Sequence, residues 1–171
     1  MKRKILSKLI EWKNKKNRKP LIVNGARQVG KTYILKEFGS HYYEKMAYVN
    51  CDKNKTLDKI FSQDYNISRI LLSLSAILHV NIEPENTLII FDEIQENPTV
   101  LNSLKYFCED ASQYHVAVAG SLLGISLHRD TSFPVGKVDM IKMYPMTFDE
   151  FLMAIDEQPL VDVLASKDFS I

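Results

Sequence analysis

The sequence predicts an α/β fold of three layers, a five-stranded parallel sheet with helices on both faces. Three observations carry that prediction. Short apolar runs alternate with helix-patterned stretches along the chain, the pattern of strand–helix–strand units. Several runs, such as "LIV", "LIIF" and "VAVA", are unbroken rather than alternating, as burial on both sheet faces demands. The first run leads through a glycine-bracketed loop straight into a helical pattern, a corner typical of such sheets.

The elements follow in order. From Lys2 to about Lys16, Ile5, Leu6, Leu9 and Ile10 recur at helical spacing with Trp12 nearby, which predicts an amphipathic helix with a basic face. "PLIVNG" is the first strand, residues 31–38 a helix, and "KMAYVNCD" the second strand. Residues 55–80 hold two helical stretches, the second being "ISRILLSLSAILHV". Glu83, Pro84, Glu85 and Asn86 form a turn before the third strand, "TLIIFDE". Asn97 and Pro98 read as the cap and first position of a helix running to about Ala111. "HVAVAGS" is the fourth strand, residues 122–136 are irregular, and "KVDMIKMYP" is the fifth strand. Thr147, with Glu150 three residues on, opens a further helix as a capping box. Gln158 to Ser166 closes the pattern as a short helix.

The chain of 171 residues suits one domain with a sizeable core. Its net charge of +1 does not mark a nucleic-acid binder, but the charge is uneven. Residues 1–19 hold nine basic side chains and one acid, Glu11, while the rest holds 13 basic against 20 acidic. We therefore divide the chain into a basic helix, residues 1–19, packed on a core, residues 20–171. The head lacks the uninterrupted apolar core and cleavage site of a signal peptide. The apolar stretch from Ile70 to Val80 is too short and too polar to cross a bilayer, so no membrane partner is expected. Cys51 and Cys108 lie far apart without a CxxC; free packing thiols in a reducing cytoplasm fit them best. The four histidines show no metal-ligand spacing.

The sharpest signal is Gly25-Ala26-Arg27-Gln28-Val29-Gly30-Lys31-Thr32, a complete GxxxxGK[ST] after a strand and into a helix. A random chain of this length meets that pattern about once in a hundred times or less. In such a loop successive backbone amides wrap an anion at the positive end of the new helix. The glycines permit torsions and approaches that a Cβ would block, while Arg27 and Gln28 contribute amides and point their side chains outward. The candidate nucleotide-binding set is Gly25, Ala26, Arg27, Gln28, Val29, Gly30, Lys31, Thr32 and Tyr33. Lys31 is expected at the β and γ phosphates and Thr32 on Mg²⁺. Arg27 has two readings, a phosphate contact or a salt bridge to a neighbouring element.

"LIIFDE" ends in two acids. Asp92, at the carboxyl end of a central strand, is the second candidate for holding Mg²⁺, an ion that keeps most of its waters. Glu93 is the candidate for orienting and polarising an attacking water. Solvated strand-end acids are the bland reading of this pair; the phosphate loop upstream tips the balance.

GARQVGKT, LIIFDEIQENP, VAVAGSLLG and VGKVDMIKMYPMTFDEF, taken in order, resemble prokaryotic AAA-type P-loop ATPases. In that family an N-terminal ATP-binding domain precedes a C-terminal domain of unknown function. The match spans roughly residues 18–155. The resemblance implies ATP as the nucleotide and a sheet of order 5-1-4-3-2. It places Ser121, and more weakly Ser126, at the end of the fourth strand facing the γ phosphate; a turn-forming serine after Gly120 is the other reading of Ser121. Family members commonly carry Gly-Arg before the fifth strand where this chain has Gly136-Lys137, which keeps the charge but loses the planar fork. Full-length members also continue for a similar length again. The helical lid and C-terminal domain are therefore expected to be missing here, and homo-oligomer contacts to run through them.

The resemblance thus implies Mg²⁺-dependent ATP hydrolysis with Glu93, Lys31 and Ser121 as catalytic residues. The competing class is an ATP-gated binding module, DNA-associated in one version, with little turnover; a small-molecule kinase is a third. Arg129 reads as an arginine finger or, more simply, as a solvated loop residue. Contact of the basic head with nucleic acid is the weaker reading beside a packed helix with its lysines in water, because no aromatics beyond Trp12 interleave the charges.

Overall fold

A computed structural model of the chain describes residues 3–121 and 133–166. Ser126, Arg129 and most of the irregular stretch before the fifth strand lie outside the described residues.

In chain order the elements are α1 (Ile5–Lys13), β1 (Leu21–Gly25), α2 (Lys31–Tyr42), β2 (Lys45–Asn50), α3 (Lys55–Phe61), α4 (Ile67–Leu78), β3 (Thr87–Asp92), α5 (Pro98–Asp110), β4 (His115–Ser121), β5 (Asp139–Met143), α6 (Phe148–Ala154) and α7 (Gln158–Ser166). The strands form one sheet in the order β2-β3-β4-β1-β5, and every pairing is parallel. Read from its other edge, this is the expected 5-1-4-3-2.

Strands β1 to β4 alternate between two apolar layers, whereas the edge strand β5 adds only Ile141 and Met143, to the second. Ile22, Val49, Ile89, Phe91, Val116 and Val118 face the cluster filled by Leu57, Leu74, Leu104 and Phe107 from α3, α4 and α5. Leu21, Val23, Leu88, Ile90, Ala117 and Ala119 face the cluster of Leu9, Trp12, Leu35 and Phe38 from α1 and α2. The unbroken apolar runs are therefore two interleaved faces of one sheet, each with its own core.

Local chemistry sets the element ends. The side chains of Asn54, Asn66 and Asn97 accept from the amides of Leu57, Arg69 and Val100, capping α3, α4 and α5. The Thr147 amide donates to Glu150 Oε2 at 3.0 Å, the reciprocal half of the expected capping box. Several boundaries differ from the sequence pattern: α1, β2 and β5 are shorter than their segments, and two further differences bear on packing. Helix α2 runs past Gly39 to Tyr42; a Cβ at Gly39 would stand 2.8 Å from Met46 Sδ, so the glycine serves close helix–strand packing rather than ending the helix. A 3₁₀ turn, Ile94–Glu96, follows β3, too short to leave a periodicity.

Helix α1 lays Ile5, Leu9 and Trp12 on the core, and Trp12 Nε1 donates to the Lys19 carbonyl at 2.8 Å. Cys51 is buried and Cys108 half-buried, both free thiols.

Candidate functional site

Parallel pairing brings the carboxyl ends of the strands to one edge. Register sets Gly25 beside Ser121 and Asn50 beside Asp92. The phosphate loop, the acidic strand end and the end of β4 therefore share a cleft of about 690 Å³, located as the rule for open α/β sheets requires. Arg27, Gln28, Gly30, Lys31, Thr32 and Tyr33 line one wall; Asn50, Asp52, Glu93, Gln95, Glu96 and Ser121 line the rest.

The loop holds an unusual backbone. Gln28 has φ 62° and Gly30 φ 93°, left-handed torsions that curl the chain before α2 begins. A Cβ at Gly25 would lie 2.3 Å from the Met143 carbonyl oxygen, so only glycine lets the loop leave β1 against β5. Lys31 Nζ donates to the Ala26 carbonyl at 2.7 Å and to the Gly25 carbonyl at 3.3 Å. Burial lowers the Lys31 pKa from its ordinary value, opposed by the nearby charges of Glu93 and Asp92. Among the described residues Arg27 pairs with no carboxylate; it stands on the cleft wall.

Asp92 is buried and accepts three hydrogen bonds. Its Oδ2 accepts from Thr32 Oγ1 at 2.7 Å and from Tyr48 Oη at 2.9 Å. Its Oδ1 accepts from the Glu93 amide at 3.0 Å. The spacing of the motifs alone does not fix the Thr32–Asp92 contact, which joins residues 60 apart. Glu93 follows in a left-handed conformation, φ 49°, that swings its side chain into the cleft. Gln95 Nε2 donates to Glu93 Oε2 at 2.5 Å, and Gln95 Oε1 accepts from the Ser121 amide at 3.3 Å. One buried amide thus spans the acidic end of β3 and the end of β4.

Residues 17–152 match the family described as AAA domain. The chain belongs to this family. The match covers all the elements that build the cleft and bears out the resemblance to AAA-type P-loop ATPases read from the motifs. Among solved structures, that of C. elegans PCH-2 is similar to this AAA domain at 12% identity over 94% of the chain, with a TM-score of 0.48. The chain spans 46% of the length of that PCH-2 chain. No curated protein matches the sequence.

The sequence-read candidates Gly25 to Tyr33, Asp92, Glu93 and Ser121 converge on this cleft or its immediate backing. The sequence motifs give no separate role to Tyr48, Asn50, Asp52, Gln95 or Glu96, which the structure places at or behind the cleft. Gln95 lies in LIIFDEIQENP, one of the segments that carry the resemblance, and a reading of that segment as a unit finds it. Tyr48 carries no motif signal. Lys137 pairs with Glu109 at 2.8 Å. It precedes Asp139, which pairs with Leu21 at the start of β1, so it lies at the end of the sheet opposite the loop. Among the described residues no cluster of three or more His, Cys, Asp or Glu side chains offers a metal cage, and no helix is long and apolar enough to cross a membrane.

Proposed function

We propose that this AAA domain binds ATP with Mg²⁺ and hydrolyses it. The observation that carries the reading is the Thr32 hydroxyl on buried Asp92 Oδ2 at 2.7 Å, at the wall of the cleft that Thr32, Glu93 and Ser121 line. Two hard oxygen donors, with no protein cage among the described residues, suit an ion that retains waters and takes its remaining ligands from phosphates. Thr32 and Asp92 would hold the Mg²⁺, which when bound neutralises charge on the β and γ phosphates.

The chain's own groups do the rest. The amides of residues 25–32 surround the phosphates, and Lys31 exchanges its loop carbonyls for phosphate oxygens. Glu93 orients the attacking water and draws on its proton. Ser121 contacts the γ phosphate from the end of β4. The free thiols support a cytoplasmic setting, and homo-oligomeric assembly is part of the same reading.

A second reading, an ATP-gated binding module with little turnover, draws on the Gln95 amide that engages Glu93. Phosphate release separates the two. In the full chain, Glu93→Gln is expected to lower steady-state turnover by about 100-fold or more while calorimetric ATP affinity survives, and Lys31→Ala to abolish binding. Tight binding with no wild-type turnover would select the module. No binding to the wild type would refute both.

A further inference from the structure

We infer that Arg3 is a positioning residue for the phosphate loop and that, through Glu150, it ties the loop's conformation to α6. The inference rests on the nucleotide-binding reading above. Arg3 is buried although it belongs to the basic head, with a side chain only 5% exposed against 6% for that of Glu150.

Its guanidinium reaches three separate segments. Nε donates to Glu150 Oε1 on α6 at 3.3 Å. Nη2 donates to the Tyr144 carbonyl, where the chain leaves β5, at 2.9 Å. Nη1 donates to the Val29 carbonyl in the phosphate loop at 3.4 Å. Glu150 is itself fixed, accepting the Lys4 amide at 2.8 Å on Oε1 and the Thr147 amide at 3.0 Å on Oε2.

The contact with Val29 bears on the cradle because the peptide is trans and planar. Gripping the Val29 oxygen from behind turns the next N–H, that of Gly30, the opposite way. Gly30 lines the cleft and Arg3 does not. Arg3 thereby aims a cradle amide without touching the ligand. Gly30 sits at φ 93°, where glycine leaves the peptide free to rotate, so the loop itself does not impose that orientation.

The other two contacts make the orientation conditional on α6 and the β5 exit. A buried ion pair adds little net stability over apolar packing; its value here is geometric. A planar fork serves three acceptors in fixed directions, which an ammonium on a flexible stem does not. By linkage, a nucleotide that selects the inward Gly30 amide must order α6, and an ordered α6 must favour the nucleotide.

The test uses the full chain with MgATP, calorimetry and amide hydrogen exchange. In the wild type, MgATP is expected to slow exchange across residues 147–154. Arg3→Lys is expected to weaken MgATP binding about tenfold and to remove that slowing at temperatures well below its melting point. Glu150→Gln loses the charge and keeps one acceptor oxygen, for either the Lys4 or the Thr147 amide; it is expected to blunt the slowing, and it carries the same readouts should Arg3→Lys fail to fold. A lower melting point with unchanged affinity and intact slowing in the variants would make Arg3 a structural bracket only and overturn the inference. Wild-type binding without any slowing in α6 would overturn it alone, whereas no wild-type binding would overturn the nucleotide reading with it.

Discussion

Single side chains meet their strictest demands at Asp92. Two hydroxyls and an amide satisfy its carboxylate, and Tyr48 bears the cost: burial first, then its bond to Asp92, push the phenol up to about 12. The phenol therefore stays a donor at any ordinary pH. Tyr48→Phe removes one bond to the Asp92 side chain, and the expected loss is about 1 kcal/mol, the middle of the range for an ordinary hydrogen bond. A lower urea midpoint at unchanged slope checks it. Asp92, Thr32 and Lys31 were legible because their roles follow from local backbone context, a strand end or a loop entering a helix. Tyr48 was not, because it reaches Asp92 across a neighbouring strand, and only the register that sets Asn50 beside Asp92 brings it within range.

At the scale of elements, helix starts were the most readable feature. Asn97 before Pro98 marked the start of α5, and the structure shows why: Asn97 Oδ1 accepts the Val100 amide at 3.1 Å. Its other end was not readable. Nδ2 donates to Asp58 Oδ1 on α3 at 2.7 Å, so one buried side chain caps a helix and joins two. Asn97→Ala is expected to cost about 2 kcal/mol, the upper range for a lost cap, because Asp58 also loses a partner; thermal unfolding is expected to show a drop of roughly 4–8 °C. The extension of α2 past Gly39 escaped the sequence pattern for a related reason. Glycine reads as a stop when considered locally, and the reason to keep it is Met46 on another element.

The whole molecule adds a pH dependence that no single element contains. His115, at the start of β4, is buried between Trp12 and Tyr43 and meets the Tyr43 hydroxyl at 2.6 Å through Nδ1, while its Nε2 is buried with no hydrogen-bond partner among the described residues. Burial, then the positive charges of Arg18 and Lys13, lower its pKa from 6.5 to about 3. Below pH 6.5 the unfolded chain gains a proton at His115 that the folded chain refuses until about pH 3. Stability from this residue is thus complete above pH 6.5 and falls as pH falls through that window. Between pH 7 and pH 5 the expected loss is about 2 kcal/mol. Urea titrations at the two values measure it, and His115→Asn is expected to flatten the difference. The sequence assigned His115 nothing, because its burial depends on α1, α2 and β4 packing around one point.

The sequence by itself determined the α/β class, the five strands, the phosphate loop and the acids at the end of β3. Each is written in a local pattern: apolar runs, glycines at fixed spacing, caps and strand-end charges. The strand order followed from family resemblance, and the register from the structure. Only the tertiary structure decided that Thr32 bonds Asp92, that Gln95 spans β3 and β4, and that Arg3 stands behind the phosphate loop. Those contacts join residues from 26 to 147 positions apart, and separation along the chain carries no distance until the sheet and its two cores fix one.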